Sequence, residues 1–470
     1  MLYISTRGEA PAISFSDALL AGLARDGGLY VPERWPELDR ATIASFRGKP
    51  YADVAFEVIR PFVAGCFKES ELQRMIGEAY ATFDHPAVTP LVELAPGEHL
   101  CELFHGPTLA FKDVAMQLLA RLMDHVLAER GERVTIVGAT SGDTGGAAVE
   151  AFRGRDRADV IILFPQGRVS DVQRRMMTTA TEANVHAVAI DGTFDDCQAI
   201  VKALFNDHAF RDRVRLSGIN SINWARIVAQ TVYYFTAAAA LGAPEKPLRF
   251  AVPTGNFGDV FAGYVAARMG LPIERLLVAT NVNDILARTL ESGVYEPRGV
   301  VATASPAMDI QVSSNFERLL FDATGRNPLA VKGMMNELAQ NKRFALPAEA
   351  LREIRIRFSA ARADESETVE TIKAVYAGRG YVLDPHTAVG VCVARKLKGE
   401  GKSPIVALST AHPAKFPDAV EAAIGVRPRL PERLRDLLDR RERITPLPAK
   451  LEAVMKFVSE HSRAAAGAAA

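Results

Sequence analysis

From about residue 110 onward, short apolar runs alternate with amphipathic stretches, and this alternation limits the fold more than any other feature of the chain. Leu118, Leu119, Leu122, Met123, Val126 and Leu127 make one helical stripe, which Gly131 closes. A strand is expected at 134–137, then a glycine-rich loop, then a helix into Phe152. The run ADVIILFP, a helix starting at the N-cap Ser170, the run VHAVAI and a helix near 195–205 continue the pattern. It returns with LRFAVP (248–253), RLLVAT (275–280), a helical approach at 385–397 and PIVALST (404–410). Strands separated by helices pair in parallel, with helices covering the sheet faces. The expectation is therefore an α/β protein with two parallel-sheet-containing lobes. Residues 1–95 lack the alternation and read as an added N-terminal domain. The first lobe is expected at 96–240, the second at 241–425 and a C-terminal helical tail at 426–470, with the low-complexity end RAAAGAAA frayed.

Composition excludes several function classes. Lys plus Arg number 56 and Asp plus Glu number 56, so net charge is zero and gives no drive toward nucleic acid or an anionic membrane. The four cysteines, Cys66, Cys101, Cys197 and Cys392, include no CxxC pair, so neither a metal site nor a disulfide framework is indicated. They suit a reducing, cytoplasmic setting. The opening MLYISTRGEAPAISFSD has no long apolar segment, and no signal peptide is expected. The apolar-leaning stretch at roughly 227–243 is interrupted by Gln230, Thr231 and Thr236, and reads as a buried helix and not a membrane span.

The loop GATSGDTGG (138–146) admits three readings: a phosphate cradle, a hydrolase nucleophile loop, or a substrate loop beside another reactive group. A P-loop requires Lys and then Ser or Thr after its last glycine, whereas Ala147 and Ala148 follow here. The resemblance to GDSGG of trypsin-like proteases fails on fold class and on Thr144 standing at the nucleophile position. The third reading requires a reactive group, and ELFHGPTLAFKD (102–113) offers Lys112. On local pattern alone Lys112 either opens a helix with its head in water or sits in a partly dry pocket, where a lysine forms Schiff bases. FAVPTGNFGD (250–259) is either a ligand-free strand-to-helix turn or an anion site of main-chain amides. ALSTAHPAKF (407–416) places Ser409 and Thr410 at a strand's carboxyl end, as a helix cap or as ligand contacts.

Together these segments resemble the threonine synthase family, pyridoxal-phosphate (PLP) enzymes of fold type II, the tryptophan-synthase-β group. ISTRG, DGGLYVP, FPQGRVSDVQ, NSINWARI, MDIQVSSNFER and DPHTAVG extend the resemblance over nearly the whole chain. It implies pyridoxal 5'-phosphate as cofactor and Lys112 as the Schiff-base lysine and general base, with Phe111 beside the cofactor. Gly255, Asn256, Phe257 and Gly258 would bind the cofactor phosphate through main-chain donors. Thr410 would face the pyridine nitrogen with a neutral hydroxyl, leaving the ring a moderate electron sink. Thr140, Ser141, Gly142 and Thr144 would grip the amino-acid carboxylate, and Asp143 would lie near the cofactor's phenolic oxygen. Ser221, Asn223 and Arg226 would hold a substrate phosphate. The implied reaction converts O-phospho-L-homoserine and water to L-threonine and phosphate, in a cytoplasmic monomer or homodimer. A phospholyase of the same fold and a catalytically silent binding protein are the rivals.

Overall fold

The computed structural model describes residues 1–218 and 220–466, so residues 467–470 of the tail expected to fray lie outside the described residues. The chain forms two compact units that share it in alternation. One comprises Met1–Phe111 and Ser221–Pro428, the other Lys112–Asn220 and Arg429–Ala470.

In the second of these, five strands form a sheet in the order Thr445–Pro448, Val185–Asp191, Ala158–Pro165, Val134–Ala139 and Leu216–Ser217. All of its pairings are parallel. The run ADVIILFP is buried at every position, as expected of a strand covered on both faces. Lys112–Arg130, Asp143–Phe152 and Asp171–Thr178 supply helices, the last capped by Ser170 as the sequence suggests. One core joins Val137, Ile161, Leu163, Val188 and Ile190 to Val454, Phe457 and Val458 of the helix Leu451–His461, so the end of the chain completes it.

In the other unit the sheet has six strands: Phe358–Arg362, Ile273–Thr280, Leu248–Pro253, Ile405–Ser409, Glu98–Glu102 and Leu91–Ala95. Pairing is parallel except at the edge strand Leu91–Ala95, which turns back on Glu98–Glu102. Within the first hundred residues, helices Tyr51–Val63 and Glu69–Tyr80 pack together, and Tyr3–Ser5 pairs antiparallel with Tyr30–Pro32. The helix Trp224–Ala240 is buried almost throughout, which explains its apolar composition. No helix among the described residues is long and apolar enough to cross a membrane.

Candidate active site

Lys112 is the first residue of the helix Lys112–Arg130 and is buried. Its Nζ donates to Asp143 Oδ2 at 3.2 Å. Asp143 opens the helix Asp143–Phe152, and its Oδ1 accepts from Gln173 Nε2 at 2.8 Å. The carboxylate is thus oriented from one side and offered to the amine on the other. Gln173 received no role from the sequence, although it closes the segment FPQGRVSDVQ; it proves buried on a short amphipathic helix. Thr140 Oγ1 accepts the amides of Gly142 at 2.9 Å and Gly145 at 3.0 Å, which folds the loop around that hydroxyl. Gly142 has φ +145°, and a Cβ there would lie 2.5 Å from Gln173 Cδ. A side chain at 142 would therefore displace the residue that orients Asp143. Ser141 is exposed and Thr144 half-buried, so hydroxyls and helix-start amides remain available for a carboxylate.

In the other unit, strand Leu248–Pro253 leads through residues 254–257 into the helix Gly258–Arg268. Phe257 adopts the left-handed region, φ 63°, at the N-cap. The loop's carbonyls are secured from one side. Ser313 Oγ donates to Gly255 O. Asn256 O accepts from the Asn315 amide at 3.1 Å and from its Nδ2 at 3.0 Å. Because a trans peptide points N–H opposite to C=O, the amides of Asn256 and Phe257 face away from these acceptors. A Cβ at Gly255 would come 2.7 Å from Ala307 O, so the turn closes only on glycine. Main-chain amides at a helix start form a phosphate cradle, and the residues present fit the pyridoxal phosphate ester. Asn315 is itself oriented by Arg318, fully buried, whose guanidinium donates to Asn315 Oδ1, to Tyr30 O at 3.0 Å and to Ile222 O at 2.5 Å. Thr410 follows the strand Ile405–Ser409, and its carbonyl accepts the Phe111 amide at 2.8 Å; Lys112 is the next residue in the chain.

The segment 221–226 opens the helix Trp224–Ala240. Asn223 is its N-cap: Oδ1 accepts the Ala225 amide at 3.1 Å and Nδ2 donates to Leu19 O at 2.8 Å. Asn223 therefore holds the turn. Ser221 is half-buried, and its carbonyl accepts from Asn315 Nδ2 at 3.1 Å. Arg226 is buried, its Nε has no hydrogen-bond partner, and no carboxylate among the described residues pairs with it. Burial pulls its guanidinium down to about 10.

Beside the cradle, Asp259 in the first turn of Gly258–Arg268 is buried. Tyr233 donates its hydroxyl to Asp259 Oδ1, and Tyr234 donates to Oδ1 at 3.3 Å and to the Asp259 carbonyl at 2.9 Å. Burial outweighs these phenols and pushes the carboxyl up to about 7. The unfolded chain loses this proton near pH 3.8 and the folded one near 7. Between those values the folded state binds the extra proton, so its contribution to stability falls as pH rises. Denaturant midpoints from pH 5 to 8 should decline in the native protein and flatten in Asp259→Asn. Parallel curves would assign the decline to other groups.

Comparisons with known proteins agree across the chain. Residues 2–80 match the family model for the threonine synthase N terminus, 82–411 that for pyridoxal-phosphate dependent enzymes, and 387–458 that for the threonine synthase C-terminal region. The threonine synthase of Pseudomonas aeruginosa is 54% identical over 98% of this chain and 98% of its own. A crystal structure of PLP-bound threonine synthase from Brucella melitensis superposes with TM-score 0.97 at 61% identity, covering 98% of this chain and 100% of that one. The yeast enzyme's crystal structure gives 0.93 at 41% identity, covering 98% of each chain.

Proposed function

The chain belongs to the threonine synthase family of PLP-dependent enzymes, and from that premise we propose the role of each residue in making L-threonine and phosphate from O-phospho-L-homoserine and water. Pyridoxal 5'-phosphate, when bound, supplies an electron sink for charge that develops on the substrate's carbon atoms. The main-chain donors of Gly255, Asn256, Phe257 and Gly258 would hold its phosphate, and Thr410 would present a neutral hydroxyl to the ring nitrogen, with the Phe111 amide securing Thr410's carbonyl.

Lys112 would hold the cofactor through its Nζ, and as a free amine it would take and return protons at the substrate's carbons. Asp143, oriented by Gln173, keeps the Lys112 amine in place by a hydrogen bond. Thr140, Ser141 and Thr144 bind the α-carboxylate with hydroxyls and amides, and Gly142, whose own amide is held by Thr140 Oγ1, shapes the loop for that contact. Ser221 and Arg226 bind the substrate's phosphate, and Asn223 acts on it through the turn it caps. The observation that carries the substrate assignment is Arg226, a buried guanidinium without a carboxylate, which gains a charge-assisted partner when a phosphate arrives.

We also propose functional parts at 1–95 (N-terminal domain), 96–240 (lysine and substrate loop), 241–425 (cofactor phosphate loop) and 426–470 (helical tail), in a cytoplasmic enzyme whose four cysteines are all free. The test is to incubate PLP-loaded protein with O-phospho-L-homoserine and quantify both products. Equal phosphate and L-threonine are expected. Phosphate without threonine would mark a phospholyase; neither product, with the bound-cofactor band intact, would overturn the substrate assignment.

A further inference from the structure

Thr410 is buried, and both of its main-chain polar groups are fixed. Its carbonyl takes the Phe111 amide at 2.8 Å, and its own amide donates to Thr387 Oγ1 at 3.3 Å. Thr387 lies in the first turn of the helix Pro385–Lys396 and is fully buried. Its hydroxyl donates to Asp384 Oδ2 and lies 3.2 Å from Ser409 Oγ. A hydroxyl has one hydrogen and two lone pairs. With its hydrogen on Asp384, Thr387 Oγ1 accepts from both Thr410 N and Ser409 Oγ, so its bonding capacity is filled and its orientation fixed.

Asp384 is buried and has a second arm. Its Oδ1 accepts from the His386 amide and from His386 Nδ1, both at 2.9 Å. His386 Nε2 accepts the Ala307 amide at 3.3 Å, which assigns the ring hydrogen to Nδ1. Ala307 is the residue whose carbonyl closes on Gly255. One buried carboxylate therefore braces, through two neighbouring residues, both the phosphate cradle and Thr410.

We propose that Thr387, anchored by Asp384, is a positioning residue that sets the direction of the Thr410 hydroxyl toward the cofactor's ring nitrogen. This rests on the reading of Thr410 given above. The deciding variant is Thr387→Val, which keeps the shape and removes the hydroxyl; Thr387→Ser restores it. Three quantities are measured on the full-length protein: kcat, the Kd for PLP, and the visible absorption band of bound cofactor across pH.

In Thr387→Val, kcat is expected to fall about tenfold or more, because a small misplacement of a group at the reacting centre has effects of that order. The band shifts, while the Kd for PLP stays within about threefold, the cradle being untouched. Thr387→Ser returns band and kcat to near the native values. A native band and kcat in Thr387→Val would overturn the proposal. So would a Thr387→Ser as impaired as Thr387→Val, since side-chain volume and not the hydroxyl would then matter. If Thr387→Val fails to fold, Thr387→Ala is read in the same way against Thr387→Ser. Thr410→Val is the separate control: a native band and kcat there would overturn the Thr410 reading itself, whatever the Thr387 variants show.

Discussion

A Lys112→Ala variant is expected to lose turnover by at least about a thousandfold and to lose the visible band of covalently held cofactor. The loss has two sources. In the proposed roles Lys112 both fixes the cofactor and moves the protons, and it is the one lysine of the helix Lys112–Arg130. A structural cost accompanies the catalytic one, because Asp143 would remain buried with its carboxylate short of one donor. That cost is about 1–3 kcal/mol, since Gln173 still donates to the other oxygen. The double variant Lys112→Ala/Asp143→Asn separates the two effects. It should recover most of the lost melting temperature and none of the turnover. A Lys112→Ala protein that turns over at a near-native rate would sink the assignment of the lysine.

Arg226 gives the second large effect, with an unusual sign in stability. Most buried arginines are anchored by carboxylates, and their removal destabilises. Arg226 has none among the described residues, its Nε has no partner, and burial already lowers its affinity for a proton. Arg226→Met keeps the length and apolar volume and removes the uncompensated charge. Without substrate, this variant should melt at or above the native temperature. With O-phospho-L-homoserine, its KM should rise about a hundredfold, as when one member of a buried charge pair is truncated. PLP affinity should hardly change. Unchanged KM would mean that another group holds the substrate's phosphate. A sharp fall in melting temperature would mean that Arg226 has a structural partner in the folded protein.

Much of the fold was legible because its signals are local. Strand and helix periodicity located Ala158–Pro165, Val185–Asp191 and Leu248–Pro253, and Ser170 marked the start of a helix that it does cap. Lys112, the 138–146 loop and the 254–258 turn each had a short contiguous signature. The supporting residues lay in the segments FPQGRVSDVQ and MDIQVSSNFER, which gave no sign of their partners. Gln173 lies 30 positions from the carboxylate it orients, Ser313 lies 58 from the carbonyl it holds, and Arg318 reaches 288 positions to Tyr30. No window of sequence contains both members of such a pair, so chain separation hid them. Asn223 is intermediate: its segment was recognised, but its capping geometry appears only once the helix Trp224–Ala240 is in place. Sequence read as consecutive stretches also cannot show that two units share the chain in alternation.

That sharing has a consequence during synthesis on the ribosome. Strand Val185–Asp191 finds its partner Thr445–Pro448 only when nearly the whole polypeptide has emerged. At bacterial-to-eukaryotic elongation rates the intervening residues take roughly ten to fifty seconds to translate. Throughout that interval the strand has an unpaired edge, and the apolar face that will receive Val454, Phe457 and Val458 is uncovered. A nascent chain in this condition is a natural client for chaperones that shield apolar surface. A premature stop near residue 428 would leave the lysine-bearing unit in that state permanently, though every residue assigned to chemistry had already been made.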